Sequence, residues 1–170
     1  MSVRSAFRTV PGVPRWASRA AHVAALTAVP SGLWRVAIAV GIPVGLGRSE
    51  LRQMHVPGWG TVALVGLSLF AEALAFLSLG LVQPWGEVWP RWLPLLRGRR
   101  VPVAAAVVPA ALGALAVTVY GVLFVWSSLH ADMDVSDWGY GLIIVLYSPL
   151  LLWGPLLGAV MVHYYARRTG

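Results

Sequence analysis

Two side chains stand out as able to do chemistry, because each sits in the middle of a run otherwise apolar. Glu72 lies within Trp59 to Gln83 (WGTVALVGLSLFAEALAFLSLGLVQ), and Arg35 lies within Ala21 to Leu46 (AHVAALTAVPSGLWRVAIAVGIPVGL). An ionised carboxylate at mid-depth in a bilayer is costly unless it is paired, protonated or turned towards a polar cavity. An arginine stays charged and can hold a carboxylate or phosphate in a two-pronged contact. Arg35 is fourteen residues into a span beginning at Ala21, and Glu72 is thirteen residues into an antiparallel span beginning at Trp59. At about 1.5 Å per residue both fall near the midplane, so an Arg35–Glu72 ion pair is geometrically available. In the chemical reading, Glu72 donates or accepts a proton and Arg35 orients it or grips a headgroup. They are the candidate catalytic residues. Thr118, Tyr120, Tyr147, Ser148, Trp34 and Trp153 are the candidates for lining a substrate or lipid cavity beside them. In the plainer reading the pair sets helix register within the bundle and does nothing else.

Two further groups have the residue types for function. On one side of the spans, Glu50 and His55 in one loop and His130, Asp132, Asp134 and Asp137 in another offer oxygen and imidazole ligands. Their spacing matches no metal motif, so no metal is assigned. On the other side, LVQPWGEVWPRWLPLLRGRRVP carries Trp85, Trp89 and Trp92 with Arg97, Arg99 and Arg100, a composition suited to an interfacial anchor among anionic headgroups. His22 and His163 fall near span ends. There is no cysteine, which excludes disulfides and thiol chemistry, and no glycine-rich phosphate loop, so no cofactor is expected.

These residues must be held by membrane helices. Of 170 residues 58% are hydrophobic and 11% charged, with a mean hydropathy of +0.74. A soluble domain carries about 25% charged residues. The apolar content comes in four blocks, about 21–46, 59–83, 103–127 and 140–164, which together predict an all-α, integral membrane four-helix bundle over 21–166. A basic arm (1–20) precedes it and a basic tail (167–170) follows it. Prolines 30, 109, 149 and 155 fall inside spans and predict kinks. Gly41 and Gly45, four apart, suggest a close-packing face on the first helix. Arginine supplies all of the basic residues, and the net charge is +7. The arginines flank the spans, as topology determinants do, and nucleic acid is not an expected partner.

Orientation follows from counting. The N-terminal arm, the Trp-rich loop and the C-terminal tail hold ten arginines, and the other two loops hold two. By the positive-inside rule both termini are cytoplasmic and the protein is a multi-pass component of the plasma membrane.

Three stretches, PSGLWRVAIAVGIPVG, LVQPWGEVWPRWLPLLRGRRVP and SPLLLWGPLLGAVMVHYYARR, together resemble a family of small actinobacterial multi-pass membrane proteins. That resemblance implies membrane location and carries no activity with it. A looser similarity, resting on an acid within a helix, is to compact membrane-bound terpene cyclases. It implies Glu72 as the acid that protonates an isoprenoid, although that family's usual second acid has no intramembrane equivalent in this chain. The expected function is a non-enzymatic membrane component that binds lipids, a protein partner or a second copy of itself. The alternatives are an intramembrane enzyme acting on an isoprenoid or other amphiphile, and a small transporter subunit.

Overall fold

A computed structural model describes residues 9–89, 98–130 and 135–170. The described residues are helical, without β-strands, and carry two isolated antiparallel bridges, Leu46 to Val135 and Val88 to Arg100. The helices are α1 (Arg15–Leu26), α2 (Val29–Ala39), α3 (Arg48–Gln53), α4 (Trp59–Ser78), α5 (Val103–His130), α6 (Asp137–Tyr147) and α7 (Leu150–Thr169). Short 3₁₀ turns at Leu79–Leu81 and Pro84–Gly86 follow α4. Four helical stretches are long and apolar enough to cross a membrane: Arg15–Ala39, Trp59–Leu81, Val103–His130 and Asp137–Thr169.

The first span is displaced towards the N-terminus from the expected 21–46. Pro14, in an extended conformation, caps a helix that starts at Arg15, so Arg15 and Arg19 of the expected arm are helical. Beyond Ala39 the helix stops, because Gly41, Val44 and Gly45 all take positive φ angles that an α-helix does not allow. Gly41 and Gly45 therefore do not form a helix face. Gly45 instead packs backbone to backbone on Gly139, where an added Cβ would fall 2.3 Å from the Gly139 Cα. Helix is also interrupted at residues 27–28, just before Pro30, and again at Ser148 and Pro149. Pro30 stands in the first turn of α2, where a missing N–H costs no helical bond. The helix assignment runs without a break through Pro109 and Pro155.

Small residues decide which spans meet. Ala17, Ala21 and Ala24 form a fully buried stripe on α1, which lets the backbone approach α7. Helix α7 buries Leu150, Trp153, Gly154, Leu157, Val160 and Tyr164 and is also the main partner of α5. There Gly154 accepts the Thr118 side chain and Gly121 accepts Leu151. Helix α4 packs against α1 and α2. The resulting order across the bundle is span two, span one, span four, span three. Spans one and four form the centre, and α4 and α5 make no packed interface with each other. The outer faces of both are apolar and exposed, including Leu67, Leu69 and Phe70 on α4 and Leu112, Leu115 and Val122 on α5. Such faces suit a lipid solvent.

At one end of the bundle the C-terminus of α7 is tied to the Trp-rich segment. Arg167 pairs with Glu87 at 2.6 Å, and Arg168 lies 3.9 Å from the same carboxylate. Arg168 also donates to the Val101 carbonyl at 2.9 Å, and the Tyr164 hydroxyl donates to the Gly86 carbonyl at 3.2 Å. The Val10 N–H donates to the Val82 carbonyl, fixing the start of the described chain to the same end.

Candidate functional site

Helix α2 buries Ser31, Gly32, Trp34, Arg35 and Ile38, the face that one turn of 3.6 residues brings to one side. Arg35 keeps only 5% of its surface exposed. The carboxylate expected beside it is not its partner. Arg35 and Glu72 are not within ion-pairing distance of each other; the Glu87 ion pairs with Arg167 and Arg168 involve neither. Arg35 Nε instead donates to Ser68 Oγ at 3.0 Å, and Nη1 points to the Tyr147 hydroxyl at 3.4 Å. Its guanidinium carbon lies 5.8 Å from the Tyr147 ring centroid, within cation–π range. All three contacts are to neutral groups.

Why Ser68 takes this place follows from helix geometry. Ser68 and Glu72 are four apart on α4, so they share a face, and Ser68 is the one level with Arg35. Glu72 stands one turn further along, and its carboxylate rests against Gly32, where an added Cβ would come within 2.9 Å of Oε1. Glu72 is half-buried and makes no hydrogen bond or ion pair among the described residues. In the sequence Ser68 is marked only by its four-residue spacing from Glu72, and it is not among the expected site residues.

The remaining walls come from the other two spans. Tyr147, 7% exposed, takes the Trp34 indole edge-on at 5.6 Å and stacks on Phe124 of α5 at 5.2 Å. Tyr120, one turn from Phe124 on α5, is half-exposed. Each of the four spans thus contributes to the surroundings of Arg35. Ser68 is nine residues from the start of α4, Tyr147 ten from the start of α6, and Tyr120 ten from the end of α5. At about 1.5 Å per residue the site lies about 14 Å in from those helix ends. The first span is the exception, since its helix ends at Ala39, one turn past Arg35.

Of the expected lining residues, Trp34 and Tyr147 gather at Arg35, Tyr120 stands half-exposed one turn from Phe124, and three others do not reach the site. The Thr118 hydroxyl donates to the Ala114 carbonyl at 2.7 Å and lies against Gly154, so it serves the α5–α7 contact. Ser148 returns its hydroxyl to the Ile144 carbonyl. Trp153 is buried in the α7 core with its indole N–H unpartnered.

The other two groups are also placed. In the anchor segment, Trp85 stacks on Phe76 at 5.3 Å and donates to Gln83 at 2.6 Å, so it is packed onto the end of α4. The Trp89 N–H donates to the Arg99 carbonyl, while the Arg99 and Arg100 side chains are exposed. Trp92 and Arg97 lie outside the described residues, as do Asp132 and Asp134 of the acidic loop. Among the described residues no cluster of metal-ligating side chains forms. A depression of about 450 Å³, lined by Pro43, Gly45, Leu46, Gly47, Val135, Ser136 and Trp138, opens near the end of α2 without reaching Arg35, Ser68 or Tyr147. His163 presents its ring to Trp16, edge-on at 5.5 Å, and His22 bonds the Ser18 carbonyl at 2.7 Å.

Comparison with known proteins gives no match: no family model, no curated protein and no solved structure is significantly similar to this chain.

Proposed function

We propose that this protein is a non-enzymatic, multi-pass component of the cell membrane that binds a lipid-like amphiphile between its second and third spans, with both termini cytoplasmic. The observation that carries the reading is the Arg35 environment: a buried charge whose contacts are all neutral, in a bundle whose α4 and α5 make no packed interface with each other. A buried charge is expensive unless compensated, so an occupant that completes its coordination is favoured. The arginine distribution, ten on one side against two, supports the orientation. Interruption of the first and last spans beside Pro30 and Pro149 favours bent helices and a lateral opening over a tightly closed coil.

The experiment is to purify the full chain in mild detergent and identify co-purifying lipid by native mass spectrometry, then to reconstitute it in nanodiscs of defined composition. Retention of one or a few lipid molecules through delipidation is the expected result. A protein that sheds all lipid with no change in stability would sink the reading. A reporter fused to the C-terminus should be active only in the cytoplasm.

A second reading has one observation in its favour. Glu72 lacks a charged partner among the described residues, which leaves its carboxyl more available for proton transfer than an ion pair would. In that reading an isoprenoid enters between the second and third spans and Glu72 protonates it. Turnover of isoprenoid substrates that is lost in Glu72→Gln, with the fold intact, would favour it over simple binding.

A further inference from the structure

Resting on the lipid-binding reading, we propose that the Arg35 site selects an amphiphile by its oxyanion headgroup, a phosphate or carboxylate, and discriminates against zwitterionic lipids. Donors and acceptors around Arg35 are unequally used. Ser68 Oγ accepts from Arg35 Nε and spends its own proton on the Leu64 carbonyl at 2.8 Å, so it positions the guanidinium and has no proton left for a ligand. Tyr147 accepts from Arg35 Nη1, which leaves its hydroxyl proton free to donate outward. Tyr120, one turn along α5 from the Phe124 that stacks on Tyr147, donates to nothing among the described residues. Arg35 Nη2 makes no hydrogen bond among them either.

The groups left over at Arg35 are therefore donors: the guanidinium and the Tyr147 hydroxyl. Glu72 provides the nearby acceptor, but its carboxylate is turned onto Gly32, one turn away along α2. A set of convergent donors around a fixed positive charge, in a surrounding of low polarity, is complementary to an oxyanion. A choline or ethanolamine headgroup brings a second, positive charge that must stand close to the Arg35 guanidinium, while the Glu72 carboxylate that could offset it is turned onto Gly32. The lipid tails would lie in hydrocarbon beside α4 and α5, whose unburied surfaces are apolar.

The test uses the full chain in detergent or neutral nanodiscs, titrated with phosphatidic acid, with phosphatidylcholine and with inorganic phosphate. Binding is read by native mass spectrometry and by the fluorescence of the tryptophans, among which Trp34 packs against Tyr147. The expected result is phosphatidic acid binding at least tenfold tighter than phosphatidylcholine, lost at least tenfold in Arg35→Gln and weakened several-fold in Tyr147→Phe. Glu72→Gln should tighten it several-fold by removing a competing negative charge. Should Arg35→Gln fail to fold, Tyr147→Phe and Arg35→Lys carry the test, since each keeps most of the packing while breaking the donor geometry. Equal binding of both lipids leaves the lipid-binding reading standing and overturns this inference. Phosphatidic acid bound as tightly by the variants as by the parent overturns it in favour of the exposed Arg99 and Arg100. Saturation by inorganic phosphate alone overturns the amphiphile, and no lipid binding at all overturns both.

Discussion

The bond between Arg35 and Ser68 makes a prediction that separates this structure from the ion pair expected of the sequence. In Ser68→Ala, Arg35 Nε loses its partner at a position where the residue is 5% exposed and water is scarce. Hydrogen bonds to charged groups contribute about 1.5–3 kcal/mol in soluble proteins, whereas interhelical bonds in membrane bundles average nearer 0.6. A cost of about 1–2 kcal/mol follows from weighing the two. In an Arg35→Met background the same change should cost within about 0.5 kcal/mol, because Ser68 then merely loses its bond to its own helix at Leu64. The coupling energy between the two sites is therefore about 1–2 kcal/mol. The parallel cycle between Arg35→Met and Glu72→Gln should give less than about 1 kcal/mol, since breaking one partner from a true buried pair costs about 3–5 kcal/mol. Both cycles can be measured by reversible unfolding in mixed micelles or bicelles at a single pH. Additive Arg35 and Ser68 effects, or an Arg35–Glu72 coupling near that of a buried pair, would refute the reasoning.

Other perturbations test the scaffold that holds the site. Gly154→Ala places a Cβ 2.1 Å from Thr118 Oγ1 and 2.9 Å from the Ala114 carbonyl, so α5 must move off α7. A loss of about 3 kcal/mol or more is expected in thermal unfolding in detergent, against a change within about 1 kcal/mol for Gly158→Ala. The second glycine has nothing within 4 Å of an added Cβ. Glu87→Gln removes the carboxylate held by Arg167 and Arg168, side chains that keep 16% and 18% exposure against 21% for Glu87. It should cost about 1–3 kcal/mol, less than a fully buried pair, and Arg167→Gln in the same chain should add less than its effect alone. Gly45→Ala and Gly139→Ala should each loosen the contact between the 40–47 turn and α6, read as faster proteolysis near Gly41.

What the sequence settled and what it could not are physically distinct. Length, hydropathy and the scarcity of charge were enough for four membrane-length helices, because those properties depend on local composition and on the backbone's need to satisfy its own hydrogen bonds in lipid. Helical spacing was enough to make Arg35 and Glu72 the residues of interest and to bring their helices together as neighbours. It could not choose the partner. A shift of one turn decides whether Arg35 meets Glu72 or Ser68, and that turn was lost where Gly41, Val44 and Gly45 end the first helix early and move its register towards the N-terminus. Nor could local pattern tell Thr118 from Tyr147, two polar residues on apolar helices. Thr118 is taken by the close approach of Gly154, while Tyr147 is carried across to α2 and stands over the guanidinium. The arrangement of the spans, with one and four central and two and three apart, is a tertiary result. It comes from which faces carry alanine and glycine and can let backbones touch, and it leaves a buried arginine whose contacts are all neutral.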